Sequence, residues 1–220
     1  MHRIIGRWET FIDRYESYKL LPNLLGVYSV SEVYPDKKDI FKAFRIVSPD
    51  ECRVVFIGQD PYPQRGVATG IVFANKEGTP EENYSPSLKV IRNSIKNLEN
   101  PNIVYTFNPT LENWAKQGIL MLNASLTVED SKVGSHTMMW RGFMTKLISN
   151  ISKCENIIFV LFGSVAQTFI PYIHSGNYII EKHPAYYART NTPMPSYVFT
   201  EINRRLKENG TSEINWCQNV

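Results

Sequence analysis

Arg53-Val54-Val55-Phe56-Ile57-Gly58-Gln59-Asp60-Pro61-Tyr62-Pro63 reads as a strand that runs into a rigid loop. Val54 to Ile57 are β-branched or aromatic with no polar interruption, the pattern of a strand buried on both faces. Gly58 permits an unusual backbone angle where the strand ends, and the two prolines stiffen the loop beyond it, so Asp60 is held in place. Three further apolar runs read the same way: Ile119 to Asn123 (ILMLN), Ile157 to Phe162 (IIFVLF) and Tyr178 to Glu181 (YIIE). Between the runs lie helical patterns. The clearest covers Ser85 to Leu98, where Ser85 caps, Pro86 suits the first turn, and Leu88, Ile91, Ile95 and Leu98 form one apolar stripe. Others are expected over Phe143 to Ile151, Val165 to Phe169 and Tyr197 to Glu208, the last stopping before Gly210. Alternating strands and helices predict an α/β fold: a central four-stranded, mainly parallel sheet flanked by helices on both faces.

The 220 residues, 43% of them hydrophobic, suffice to bury a core and fit a single domain over 1–220. No repeat, low-complexity tract or Gly/Ser linker divides them. No stretch is long and apolar enough to span a bilayer, and Met1-His2-Arg3 opens no apolar signal region, so a soluble cytoplasmic protein is expected. Cys52, Cys154 and Cys217 are odd in number and far apart, which argues against a disulfide framework and a zinc site. The formal charge of +3 permits a polyanionic partner without requiring one.

In a parallel sheet the ligand crevice lies beyond the carboxyl ends of the strands, so the residues there are the ones to inspect. Asp60 follows the first run, Asn123 closes the second and His183 follows the fourth. Each has an ordinary reading: an Asx turn, a turn residue, a hydrogen-bonded structural histidine. Three such groups at one sheet edge define a candidate site.

Around them stands an ordered series of motifs. Val54 to Tyr62 (VVFIGQDPY) is followed by Gly70-Ile71-Val72-Phe73, Ser85-Pro86-Ser87-Leu88 and Leu122-Asn123-Ala124-Ser125-Leu126-Thr127-Val128. Ser135-His136, Leu161-Phe162-Gly163-Ser164 with Ala166-Gln167, and His183-Pro184 complete it, with Tyr34-Pro35 and Phe41-Lys42-Ala43-Phe44 leading in. The series resembles that of the family 1 uracil-DNA glycosylases over most of the chain.

The resemblance implies an enzyme that flips uracil out of single- or double-stranded DNA and hydrolyses its glycosidic bond, leaving an abasic site for base excision repair. It implies no cofactor and no metal. Phe73 would stack on the base, Asn123 would pair with N3 and O4, Gln59 would supply backbone contacts, and Tyr62 would exclude the methyl of thymine. Asp60, as carboxylate, would stabilise the sugar cation and orient water, while a neutral His183 would donate to O2 of the departing base. Ser87, His136 and Ser164 would hold phosphates. The resemblance also allows a proteinaceous inhibitor as partner, and implies a monomer whose location is cytoplasmic, nuclear or a viral factory according to its source.

Two departures stand out. Pro63 occupies the place of the family's usual histidine, which removes a supporting hydrogen bond near Asp60. In His183-Pro184-Ala185-Tyr186-Tyr187-Ala188-Arg189, Tyr187 falls where the family inserts a leucine into the gap left by the flipped base, and Ala188 replaces a phosphate-binding serine. Either Tyr187 serves as the wedge, or Tyr186 and Tyr187 pack against the protein and the wedge is absent. Pro63 and the H-P-A sequence also occur in poxviral members, which raises a different reading: a DNA-binding accessory module on the same fold. A mismatch glycosylase that accepts thymine is disfavoured by Tyr62.

Overall fold

A computed structural model describes residues 6–96, 98 and 107–217. Its central sheet has strands β2 (Val54–Gly58), β3 (Ile119–Asn123), β5 (Ile158–Phe162) and β6 (Tyr178–Glu181), in the order β3-β2-β5-β6 and parallel throughout. All four expected strands form, with boundaries shifted by one residue at most. A separate two-stranded ribbon, β1 (Val33–Tyr34) antiparallel to β4 (Val128–Glu129), adds to the elements expected from sequence.

Side-chain alternation divides the core in two. Val55, Ile57, Leu120, Leu122, Phe159 and Leu161 face one layer, filled by helices α1 (Arg14–Val30), α2 (Lys42–Ile46) and α5 (Thr137–Ile151). Val54, Phe56, Ile119, Met121, Ile158 and Val160 face the other, filled by α3 (Pro86–Lys96), α4 (Glu112–Ala115) and α8 (Tyr197–Glu208). Every residue of β2, β3 and β5 is buried, the reason these runs carry no polar alternation.

The helix expected over 85 to 98 is Pro86–Lys96, and residue 97 lies outside the described residues. Ser85 precedes this helix, but its hydroxyl accepts from Asn75 Nδ2 at 2.7 Å. The helix expected from Phe143 begins at Thr137, because Trp140 belongs to the same buried stripe as Phe143, Met144, Leu147, Ile148 and Ile151. Helix α6 (Gly163–Gln167) stands in place of the expected 165–169, and α8 has the expected bounds. Gly210, with φ of +71°, ends α8. Two helices go beyond the sequence expectations: α1, capped by the Asp13 carboxylate accepting from Glu16 N at 3.0 Å, and α7 (Pro184–Thr190) after β6. Among the described residues no helix is long and apolar enough to cross a membrane.

The register aligns the strand ends. Gly58 pairs with Asn123, Ile57 with Leu161, and Phe162 with Glu181. The loops that leave β2, β5 and β6 therefore emerge side by side at one edge, next to the last residue of β3.

Candidate active site

At that edge lies a cleft of about 770 Å³, within the usual range for a small-molecule site. Gln59, Asp60, Tyr62, Phe73, Ser87, Asn123, Ser164 and His183 all line it.

Gly58 is a matter of space. Its φ is not positive, but a Cβ there would lie 2.5 Å from Val72 Cγ2 and 2.6 Å from Asn123 Oδ1. The expectation of an unusual backbone angle is corrected on this point: the missing side chain makes room for the Asn123 amide on the neighbouring strand. Asn123 Oδ1 is itself buried and without a hydrogen-bond partner.

Asp60 sits two residues past the strand, with Oδ2 accepting from the backbone N–H of Gly134 at 2.8 Å and Oδ1 buried and unpartnered. Burial pushes its pKa up, against the opposing pull of the Gly134 N–H and the Gln59 side chain. The phenol of Tyr62 donates to the carbonyl of Phe73 at 3.0 Å, and Phe73 has a left-handed backbone with φ of 64°. The two side chains are thus tied together through the main chain. The Phe73 ring packs edge-on against Phe162 and His183, with centroids 5.1 and 5.4 Å away.

His183 caps α7: its Nδ1 accepts from Ala185 N at 3.2 Å. That bond requires Nδ1 to be unprotonated, so the ring proton of the neutral imidazole resides on Nε2, which is left as a donor. Burial, helped by the charge of Arg189, lowers its pKa to about 4. Gly163, at φ of +85°, allows the close approach of this residue, since a Cβ would lie 2.9 Å from His183 Cβ.

Two expected site residues stand outside the cleft. His136 is buried with Nδ1 3.0 Å from Thr127 Oγ1, whose hydroxyl also accepts from Trp140 Nε1 at 2.7 Å. It is not among the residues that line the cleft. Tyr187, expected at the position of the inserting leucine, belongs to the core, with its hydroxyl donating to Glu181 Oε1 at 2.7 Å. The ring exposed at the mouth is Tyr186, 38% exposed, with Lys182 Nζ 4.3 Å from its centroid. Sequence reasoning misses Lys182 and Arg189, both on the cleft wall, and the Gly134 N–H. The basic pair is discoverable from its position beside His183; a backbone donor from a distant turn leaves no trace in side-chain chemistry.

A buried amide, a half-buried carboxylate and a neutral imidazole donor around an aromatic ring can read a flat heterocycle and stabilise charge of both signs. Among the described residues no group of three His, Cys, Asp or Glu side chains is placed to hold a metal ion.

Residues 44–207 match the uracil DNA glycosylase superfamily. The chain is similar to the uracil-DNA glycosylase of Mycoplasmopsis pulmonis, 37% identical over 219 residues that cover 96% of each protein. Its fold is that of the mimivirus uracil-DNA glycosylase crystal structure, with a TM-score of 0.72 and 22% identity over 97% of this chain and 90% of that one. A second structure, mimivirus UNG with a tyrosine-to-leucine change in complex with UGI, gives a TM-score of 0.72 at 21% identity, covering 97% and 92%.

Proposed function

This chain belongs to the uracil DNA glycosylase superfamily, and we propose that the cleft beyond β2, β3, β5 and β6 removes uracil from DNA by hydrolysing its bond to deoxyribose. It is a monofunctional DNA N-glycosylase that starts base excision repair. The observation that carries the residue assignment is the pair of orphaned buried acceptors, Asn123 Oδ1 and Asp60 Oδ1, on one cleft wall. Buried acceptors without partners are rare, and two in one cleft fit a reaction in which the base supplies one donor and the attacking water the other.

Asn123 Oδ1 accepts from N3–H of uracil, while the amide nitrogen donates to O4. Cytosine offers a bare N3 and an amino group at those two positions, leaving both halves of the amide mismatched. Phe73 supports the face of the base. Tyr62, pinned by its bond to Phe73, fills the space that a 5-methyl group would need.

As the bond between C1′ and N1 breaks, its electron pair moves into the base and negative charge gathers on O2. The Nε2–H of His183 stabilises that charge, and the depressed pKa keeps the ring a neutral donor throughout the neutral range. Positive charge develops on the sugar, and the Asp60 carboxylate stabilises it and orients a water. The water oxygen forms the new bond to C1′ and passes its proton to the Asp60 carboxylate, leaving an abasic site and the uracil anion, which takes up a proton from solvent.

The base leaves the helix to reach this cleft, Ser87 and Ser164 contact phosphates, and Tyr186 is the aromatic side chain that meets DNA at the mouth. The mimivirus complex with UGI supports a protein inhibitor as a further partner. Action as a monomer in the cytoplasm completes the reading.

The test uses purified protein in EDTA with single-stranded and duplex oligonucleotides carrying one uracil or one thymine mismatch, followed by alkaline cleavage at abasic sites. Cleavage at uracil alone is expected. DNA binding without cleavage would replace this reading with an accessory module, and thymine release would remove the role of Tyr62.

A further inference from the structure

The carboxylate of Asp60 is held by a turn 74 residues further along the chain, between β4 and α5. The turn is built around Gly134, whose φ is +84° and whose N–H reaches Asp60 Oδ2 at 2.8 Å. Its neighbour Ser135 supplies the tie: the Ser135 hydroxyl accepts from the backbone N–H of Glu129 at 2.9 Å, while Ser135 N donates to Lys132 O at 3.1 Å. Lys132 closes the same turn through its own N–H to Glu129 O at 3.1 Å and through an ion pair with the Glu129 carboxylate at 2.7 Å. On the side facing the catalytic loop, Ser131 N donates to Pro63 O at 2.9 Å. Pro63 has no N–H of its own to give, but its carbonyl docks the turn three residues from Asp60.

Building on the glycosylase reading, we propose that Ser135 is a positioning residue: by fixing the turn over 129–136 it aims the Gly134 N–H at Asp60 Oδ2 and so presents Oδ1 to the attacking water.

A carboxylate on a short side chain rotates between equivalent settings unless one oxygen is tied. The tie on Oδ2 is the feature that distinguishes the two oxygens, and it leaves the unpartnered Oδ1 for chemistry. The same N–H favours the charged form against the burial that opposes it. The charged and titratable groups around Asp60 come from three places. Tyr62 and Arg65 lie on its own loop. The turn contributes Asp130, the paired Glu129 and Lys132, and His136, which is turned inward onto Thr127; across the cleft stand His183, Lys182 and Arg189. The influences on its pKa are burial, the Gly134 N–H and Gln59, so loosening Gly134 acts on Asp60 directly.

The experiment measures single-turnover uracil release and KM from pH 4.5 to 9 for wild type, Ser135→Ala, Ser135→Thr and Asp60→Asn, with the Gly134 amide followed by ¹H–¹⁵N NMR over the same range. Ser135→Ala should lose roughly ten- to a hundredfold in rate with KM unchanged, and its acid limb should move to higher pH. Ser135→Thr, which keeps the hydroxyl, should restore both. In wild type the Gly134 amide shift should titrate with the midpoint of the acid limb, and Asp60→Asn should abolish that titration. An unmoved acid limb in Ser135→Ala, a change in KM alone, or a Gly134 amide indifferent to Asp60 overturns the proposal. If Ser135→Ala fails to fold, Ser135→Cys, whose thiol is a weaker acceptor for the Glu129 N–H, gives the same readout, and an acid limb left at the wild-type pH overturns the proposal. Wild-type rates in Asp60→Asn would instead overturn the glycosylase reading of Asp60, and this proposal with it.

Discussion

The hydroxyl of Tyr187 donates to Glu181 Oε1 at 2.7 Å, and the same carboxylate oxygen accepts from Lys182 N at 2.7 Å. Glu181 is the last residue of β6 and Tyr187 lies in α7, so the bond ties the strand to the helix across His183, which lies between them. A tyrosine expected to enter DNA fastens the segment that carries His183.

The two adjacent tyrosines should therefore respond differently. Tyr187→Phe leaves the buried Glu181 carboxylate short of a donor and should lower stability by about 1 to 3 kcal/mol, seen as a fall in Tm, with single- and double-stranded activities reduced together. Tyr186→Ala should leave Tm unchanged and slow duplex substrates more than single-stranded ones, by roughly tenfold for a lost stacking contact worth about 1 to 3 kcal/mol. Equal slowing on both strand types would remove Tyr186 from the DNA contact.

Gly58→Ala places a methyl group 2.5 Å from Val72 Cγ2 and 2.6 Å from Asn123 Oδ1. Asn123 lines the cleft while Val72 is packed in the core, and the amide moves more easily than the valine. The variant should raise KM for uracil-containing DNA and weaken inhibition by free uracil, with the fold retained by circular dichroism. Unchanged uracil inhibition would show that the amide keeps its place.

His183 should leave a signature in the pH dependence of stability. Its folded pKa of about 4 lies below the ordinary histidine value of 6.5, so between those values the unfolded chain binds more protons than the folded one. Stability attributable to this group is complete above pH 6.5 and is lost as pH falls toward 4, by about 3 kcal/mol at most. In His183→Gln the decline over that window should be shallower, as denaturant melts at pH 7 and 4.5 would reveal.

Asp60 works in the opposite direction. Burial raises its pKa, so the folded state gains from its proton at low pH and loses that gain as pH rises through the folded pKa. Asp60→Asn removes the buried charge while keeping an acceptor for Gly134. It should melt at or above the wild-type temperature at pH 7.5 while releasing uracil roughly a hundredfold more slowly or worse. A lower Tm would mean that the carboxylate stabilises the fold it serves.

Much of the fold is legible in the sequence because the strands are buried on both faces: Val54–Gly58, Ile119–Asn123 and Ile158–Phe162 have no exposed residue to interrupt the apolar run. Parallel strands also put Asp60, Asn123 and His183 at one edge without further information. Helix α1 is not legible because exposed Tyr15, Tyr18 and Leu25 blur its buried stripe and Pro22 interrupts it. Helix α7 hides behind a loop pattern. Consecutive helical residues point about 100° apart, so of two neighbouring tyrosines one turns inward and the other outward, and sequence position alone does not say which. His136 carries the motif of a phosphate-binding residue, and its bond to Thr127 depends on a tertiary contact with the buried indole of Trp140.

The order β3-β2-β5-β6 puts Asn123 at one margin of the sheet and His183 beyond the other, with Asp60 between them. The Asn123 amide and the His183 imidazole thus hang from strands that are not hydrogen-bonded to each other. In the proposed reaction Asn123 and Asp60 come from the paired strands β3 and β2 while the imidazole comes from beyond β6, so both halves of the sheet must be in place for the cleft to act.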